Sequence, residues 1–205
     1  ADDRAFVAGT DISQFQDLHT GEDALAYEAR LDHVIDRLER VTKPTIARIQ
    51  GVAVGGGCVI AIACDLRICG PDAQFGVPVA RTLGNCLSAA NCARLLDLVG
   101  PARLKDILFT ARLLGAQEAL AAGLATRVVD ADALDRVVTE TAETIAANAP
   151  LTVRATKELV RRLQAHRRVE PTQGHDLITA CYTSQDFKHA VEAFLAKRPP
   201  VWTGR

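Results

Sequence analysis

The sequence contains no methionine, no CxxC pair and few aromatic residues, which make up 4% of its 205 residues. The missing CxxC pair excludes the spacing most typical of zinc-binding and redox-active cysteines. No apolar run reaches the roughly 18 residues that a membrane-spanning helix needs, and no basic segment precedes an apolar leader. We therefore expect a cytoplasmic protein with neither a membrane partner nor a metal site.

The charge is nearly balanced, with 24 lysine and arginine residues against 25 aspartate and glutamate residues. No overall field favours nucleic acid or an anionic membrane, so any anionic ligand must be held by local groups. The apolar fraction, 48%, suffices for one sizeable core. The six cysteines have mostly apolar neighbours and are interpreted as reduced, buried thiols.

The order of local patterns predicts an α/β core followed by helices. A short strand at 5–9 precedes a helix at about 24–41 and a β-rich run at 45–54. Further short strands and helices alternate as far as a strand at 125–130, and only helical patterns follow. We expect a core domain at 1–130 and a helical C-terminal module at 131–205.

The glycine triplet at 55–57 lies between the β-rich run and an apolar stretch that is typical of a buried helix. A strand that leads through glycines into a helix brings backbone amides and the helix N-terminus to one point, where an anion can bind. The dinucleotide fingerprint GxGxxG is not met, because Ile60 occupies the third glycine position. An oxyanion site and a simple packing device both remain possible.

Several ordered segments of the sequence resemble the crotonase (enoyl-CoA hydratase/isomerase) superfamily. They are FVAGTDI at 6–12, IQGVAVGGGC at 49–58, ACDLRI at 63–68, AQFGVP at 73–78 and GAQEALAAGLATRVV at 115–129. The resemblance implies the ClpP/crotonase fold, a superhelical ββα core with a C-terminal helical oligomerisation module. It also implies a CoA thioester as substrate, no separate cofactor, a homotrimer or dimer of trimers, and an N-terminal part of the core that is missing here.

The same resemblance implies specific roles for two loops. The backbone amides of Thr10 and Gly56 would form an oxyanion hole for the thioester oxygen. The substrate-binding residues that match the family pattern are Ala8, Thr10, Asp11, Ile12, Ser13 and Gly56. Only main-chain donors are required for the oxyanion hole, so the side chains at these positions can vary.

The chain departs from the family at the two positions where hydratases carry glutamates. The first position is Val59, and the second is Val79, or Ala80 if the register shifts by one residue. Neither position can titrate, and the loss of one positioned acid or base typically costs about 10²–10⁴ in rate. Hydration by the two-glutamate route is therefore not expected.

The stretch 81–95 also departs from the family pattern and supplies polar candidates for the acyl pocket. Together with Val59 and Val79, these are Arg81, Asn85 and Ser88. Arg81 could pair with a carboxylate of a malonyl-type acyl group. The alternative is structural, since asparagine and serine often cap helices and Ser88 precedes a predicted helix.

The resemblance thus implies an enoyl-CoA hydratase/isomerase-like lyase or isomerase of fatty acid metabolism, which stabilises a thioester enolate with Thr10 and Gly56. The two valines leave an alternative open. The chain could be a catalytically silent acyl-CoA-binding or scaffold member of the family.

Overall fold

Short strands form two separate sheets in the computed structural model, which describes residues 5–205. One sheet has the order β1 (Ala5–Val7), β3 (Val52–Val54), β5 (Gln74–Gly76) and β6 (Leu114–Gly115). The other has the order β2 (Ile46–Ile49), β4 (Leu66–Cys69) and β7 (Arg127–Val128). All pairings are parallel except that of β5 with β6. The α/β prediction is confirmed. The predicted core domain begins at residue 1, and its first four residues lie outside the described range.

The β-rich run predicted at 45–54 is two strands rather than one. Ile49 ends β2 in one sheet and Val52 begins β3 in the other. Gly51 lies between them with a φ of 65°, a conformation that glycine adopts without steric cost. The chain therefore turns a corner from one sheet to the other at this glycine.

Helices surround the sheets and make up most of the C-terminal half. They are α1 (Gly21–Glu39), α2 (Gly56–Ala63), α3 (Val79–Thr82), α4 (Ala89–Thr110), α5 (Ala116–Ala121), α6 (Leu134–Ala147), α7 (Pro150–Arg167), α8 (His175–Thr183) and α9 (Gln185–Leu195). Three short 3₁₀ turns lie at Ile12–Asp17, Ala131–Ala133 and Pro171–Gly174. None of the helices described here is both long and apolar enough to cross a membrane.

Helix α1 begins earlier than its apolar pattern predicts, because a capping box sets its first turn. The Asp23 amide donates to the Thr20 hydroxyl at 3.1 Å, and the Thr20 amide donates to the Asp23 carboxylate at 2.9 Å. Two amides that have no partner within the helix are thereby satisfied. Helix α1 then packs against α8 through Tyr27 and against α2 through Ile35.

The sequence pattern predicts two helices, at 89–99 and 102–109, and α4 consists of two helical segments that meet at a kink. Gly100 has a φ of 75° inside the helix and Pro101 follows it. The proline has no amide hydrogen and cannot continue the hydrogen-bond ladder, while the glycine accepts the left-handed backbone. The two predicted helical segments are therefore confirmed, with Gly100 as the break between them.

Three apolar clusters hold the described elements together, and the smallest contains Ile35, Val59 and Ala63. The main cluster lies between the sheets, α2, α4 and α5 and includes Ile49, Phe75 and Leu114. The second cluster is aromatic and joins the 3₁₀ turn at Ile12–Asp17, α1, α8 and α9 through Phe15, Tyr27, Tyr182 and Phe187. Helix α8 of the predicted module therefore packs directly on α1, and α9 packs on the 3₁₀ turn at Ile12–Asp17, both of which belong to the predicted core. The boundary at residue 130 stays a prediction.

Candidate functional site

The loop after β1 lies directly against the glycine triplet. A side-chain carbon at Gly57 would lie 2.0 Å from the carbonyl oxygen of Val7, so only glycine fits there. A side-chain carbon at Gly56 would lie 3.2 Å from the Thr10 hydroxyl and 4.0 Å from the Thr10 amide nitrogen. Gly9 (φ 120°) and Gly55 (φ 58°) supply the left-handed turns that this close approach requires. The backbones of Thr10 and Gly56 are therefore neighbours.

The amides of Thr10 and Gly56 are both available to a ligand. Gly56 is the first residue of α2, where an amide has no acceptor within its own helix. Neither amide donates a hydrogen bond to any residue in the described range 5–205. Two neighbouring amides of this kind, one at a helix N-terminus, can stabilise a negatively charged oxygen.

Thr10 and Gly56 both line a cavity of about 610 Å³. Its walls come from the loop at 8–13, one face of α1, the start of α2, the segment 77–91 and parts of α8 and α9. The predicted site residues that line it are Ala8, Thr10, Asp11, Ile12, Ser13, Gly56, Val59, Val79 and Asn85. The structure thus brings most of the predicted residues to one mainly apolar cavity.

The two positions that carry glutamates in hydratases are apolar in the structure as well as in the sequence. Val59 is buried on α2 and packs with Ile35 and Ala63. Val79 is half-buried and lines the cavity, whereas Ala80 is exposed and does not. The structure therefore places Val79 at the cavity, and neither valine can move a proton.

Arg81 and Ser88 were expected in the acyl pocket and do not line the cavity. Arg81 is exposed, so the suggested pairing with an acyl carboxylate has no structural support. Ser88 is buried at the start of α4, where its hydroxyl accepts from the Asn91 amide at 3.3 Å and donates to Asp32 at 2.8 Å. Ser88 therefore caps α4 and links it to Asp32 of α1. This is the structural role that the sequence offered as the alternative to the acyl pocket.

The cavity contains a carboxyl group that the sequence did not identify. Glu28, on α1, is only 6% exposed and accepts a short hydrogen bond from the hydroxyl of Tyr182 on α8. The side-chain amide of Asn85 in turn donates to the same hydroxyl at 3.0 Å. Burial raises the pKa of Glu28 to about 7, and the Tyr182 hydrogen bond acts against this rise. A carboxyl group that titrates near neutrality therefore faces the cavity.

Two further polar atoms at this cavity have no hydrogen-bond partner among the described residues. They are the hydroxyl of Tyr27, which is 4% exposed, and the side-chain oxygen of Asn85. Burial raises the pKa of the Tyr27 phenol. The nearby Thr10 side chain lowers this pKa, although its position does not meet the geometry of a hydrogen bond to the phenol. Buried polar atoms are usually paired, so these two are exceptions among the described residues.

A sequence signal for Glu28 does exist, but it is weak. Residue 28 is one helical repeat of seven before Ile35 and three residues before Leu31, so it lies on the apolar face of α1. A glutamate inside an apolar stripe indicates either a paired structural carboxyl or a functional one. The partner, Tyr182, lies 154 residues away and cannot be found from the local pattern.

A larger cavity, of about 810 Å³, lies between the end of α2, α4 and α7. Its charged groups pair with each other: Glu39 with Arg94 at 2.8 Å, and Lys157 with Asp65 at 2.7 Å. Arg67 donates to the carbonyls of Leu124 and Cys64, both at 2.6 Å. These groups are satisfied by the protein itself, so the smaller cavity is the better candidate site.

The family model for enoyl-CoA hydratase/isomerase matches residues 1–205 of the chain. A short-chain-enoyl-CoA hydratase from Clostridium acetobutylicum is 36% identical over 199 residues, covering 97% of this chain and 76% of the relative. A putative enoyl-CoA hydratase/isomerase family protein from Hyphomonas neptunium is 40% identical with a TM-score of 0.75, covering 100% and 78%. Methylmalonyl-CoA decarboxylase in complex with 2-nitronate-propionyl-CoA is 28% identical with a TM-score of 0.88, covering 97% and 76%.

Proposed function

The chain belongs to the enoyl-CoA hydratase/isomerase family and has the crotonase fold, and from this premise we propose that it converts acyl-CoA thioesters through an enolate. The acyl group lies in the 610 Å³ cavity, and the thioester oxygen meets the amides of Thr10 and Gly56. The observation that carries this proposal is the close approach of these two backbones, with both amides available, at the wall of an apolar cavity. The CoA thioester is the substrate, and no separate cofactor is invoked.

The reaction class is that of a lyase or isomerase, without the two-glutamate hydration route. Preorganised amides stabilise the charge that develops on the thioester oxygen without having to reorient during the reaction. Val59 and Val79 enclose the acyl chain but cannot supply or accept protons. The proton must therefore be moved by another group at the cavity.

The test removes one backbone donor at the start of α2. Gly56→Pro removes the amide hydrogen, and proline is tolerated at the first position of a helix. Gly56→Ala is the matched control, because it adds the same side-chain carbon near Thr10 but keeps the amide. We expect kcat on crotonyl-CoA or a 3-enoyl-CoA to be about 10²–10³ lower in the proline variant than in the alanine variant. Equal rates in the two variants would refute the oxyanion assignment.

A second candidate function, supported by the two valines at the cavity, is binding without catalysis. A silent acyl-CoA-binding or scaffold protein would bind crotonyl-CoA in calorimetry and turn over neither crotonyl-CoA nor a 3-enoyl-CoA. Measured turnover that depends on Gly56 would exclude it.

We further propose a homotrimer or dimer of trimers in the cytoplasm. Helix α7 leaves Leu159, Val160 and Leu163 between 49% and 67% exposed, which is an apolar surface available to a neighbouring subunit. Sedimentation velocity tests this assembly. A monomer at micromolar concentration would contradict it.

A further inference from the structure

We propose that Glu28 is the catalytic base and acid that removes and returns the proton at the α carbon of the bound thioester, held in position by Tyr182. This inference rests on the proposed function, since it requires an acyl-CoA in the cavity. It assigns the proton transfer to helix α1, whereas the hydratase positions are on α2 and at the start of α3.

The first step of the argument compares the carboxyl groups that line the cavity, Asp11 and Glu28. Asp11 is exposed and accepts from the Ser13 amide at 3.0 Å and from the Ser13 hydroxyl at 2.7 Å. These hydrogen bonds lower the pKa of Asp11, so this carboxylate is a weak base. Glu28 is buried and lacks a cationic partner in the described part of the chain.

The second step concerns the two oxygens of Glu28. Tyr182 donates to Oε1, and Asn85 donates to the Tyr182 hydroxyl, so this side of the carboxyl group is fixed from α8 and from the segment before α4. No residue in the range 5–205 donates a hydrogen bond to Oε2, and this atom is not sealed from the cavity. One oxygen therefore orients the group while the other is free to meet a substrate carbon.

The third step is the electrostatic setting of Glu28. The titratable groups that face it are Tyr27 and Asp32 on α1, Cys86 before α4, Cys92 on α4, and Tyr182 on α8. Burial and the Asp32 charge raise the pKa of Glu28 to about 7, while the Tyr182 hydrogen bond lowers it. A carboxyl group with this pKa populates both its base form and its acid form at neutral pH, as proton transfer in both directions requires.

The reaction step needs no further reagent. The α carbon–hydrogen bond breaks, and the proton forms an O–H bond with Oε2 of Glu28. The electron pair of the broken bond forms the enolate double bond, and the carbonyl π pair moves to the thioester oxygen at Thr10 and Gly56. Returning the same proton to the α carbon restores the substrate, and delivering it to the γ carbon of an unsaturated acyl group moves the double bond.

The test measures exchange of the α hydrogens of butyryl-CoA for deuterium in D₂O by NMR, since this follows the proton step alone. We expect Glu28→Gln to slow the exchange at least about 100-fold. Asp36→Asn is the matched control, because Asp36 is a carboxyl group two turns further along α1 that bonds the exposed Arg40, does not line the cavity and does not act on the pKa of Glu28. It should exchange within about threefold of the wild-type rate.

A second variant separates positioning from a merely structural role. Tyr182→Phe removes the hydrogen bond that lowers the pKa of Glu28, so the pH at which exchange reaches half its maximum should rise. A uniform loss of rate with no shift of the pH profile would contradict the positioning role of Tyr182.

The outcomes distinguish this inference from the proposed function. Exchange that persists in Glu28→Gln but is lost in Gly56→Pro overturns the role of Glu28 and leaves the oxyanion hole intact. Binding of butyryl-CoA by the wild-type protein without any exchange also overturns it. Absence of binding to any acyl-CoA, measured by calorimetry on the folded wild-type protein, refutes the proposed function itself.

Discussion

Helix α1 carries two glutamates whose surroundings are opposite, the buried Glu28 and the half-buried Glu39. Glu28 accepts from a neutral phenol, and burial raises its pKa to about 7. Glu39, near the end of the same helix, accepts bidentate hydrogen bonds from Arg94 at 2.9 and 2.8 Å and from Arg168 at 2.9 Å for both bonds. The two guanidinium groups outweigh the effect of burial and lower the pKa of Glu39 to about 2.

The difference shows how its hydrogen-bond partners make a carboxyl group structural or reactive. At Glu39, both oxygens are paired with permanent cations, so the group stays ionised and holds α1, α4 and the end of α7 together. At Glu28, one oxygen has a neutral donor and the other has none among the described residues. The partners, and not burial alone, set the protonation state of each glutamate.

The largest loss of stability is expected at Glu39, which is paired with two arginines. Glu39→Gln leaves Arg94, whose side chain is 3% exposed, without its counter-charge, and should lower the free energy of unfolding by about 3–5 kcal/mol. Urea unfolding at pH 7 measures this. Asp36→Asn, which removes the exposed pair of Asp36 with Arg40, is the control and should cost under about 1 kcal/mol.

The pH dependence of stability is a second test of the difference between Glu39 and Glu28. The pKa of Glu39 is lowered from 4.5 to about 2, so its stabilisation is present above pH 4.5 and is lost as the pH falls through 2. The wild-type protein should therefore lose more stability on acidification than Glu39→Gln does. Equal acid sensitivity of the two proteins would contradict the pairing.

At Glu28, we expect stability to change with pH in the opposite direction. Its pKa is raised from 4.5 to about 7, so the protonated form is favoured by folding, and stability is lost as the pH rises through 7. Glu28→Gln carries no charge to bury and should be more stable than the wild type by about 3 kcal/mol at pH 8. At pH 4 the two proteins should be nearly equal. A gain of the same size at both pH values would show that ionisation is not the cause.

The smallest effects are expected at the two tyrosines of the aromatic cluster, whose ring centroids are 6.5 Å apart. Tyr182→Phe removes the donor to Glu28 and should cost about 1–2 kcal/mol in unfolding free energy at pH 8. Tyr27→Phe removes a hydroxyl that has no partner in the described chain, so it should be neutral or slightly stabilising. Denaturant unfolding of both variants compares them, and equal losses would contradict the difference in pairing.

The loop after β1 and the glycine triplet at 55–57 form what we call the glycine corner, and much of it could be predicted from the sequence because its parts are local. Gly57 has no space for a side chain, and Gly9 and Gly55 have left-handed backbones that favour glycine. A strand, three glycines and an apolar helix therefore indicate the corner directly. The sequence also predicts that positions 59 and 79 cannot titrate, and the structure adds that both valines line the cavity.

The polar residues of the segment 81–95 were predicted less well, since their direction depends on packing. Arg81, Asn85 and Ser88 are close in sequence, yet one is exposed, one lines the cavity and one is buried against Asp32. The short helix α3 and the start of α4 orient them differently. The residue types alone cannot predict which of these side chains is exposed, which lines the cavity and which is buried.

By itself the sequence determined the α/β order of elements, the glycine corner and the absence of the hydratase glutamates, because periodicity, glycine and side-chain chemistry act within a few residues. Only the tertiary structure decided the roles of the two glutamates of α1. Glu28 meets Tyr182 across 154 positions, and Glu39 meets Arg94 and Arg168 across 55 and 129. Contacts over such separations are set by how α1 packs against α4 and α8, and these contacts fix the charge of each carboxyl group.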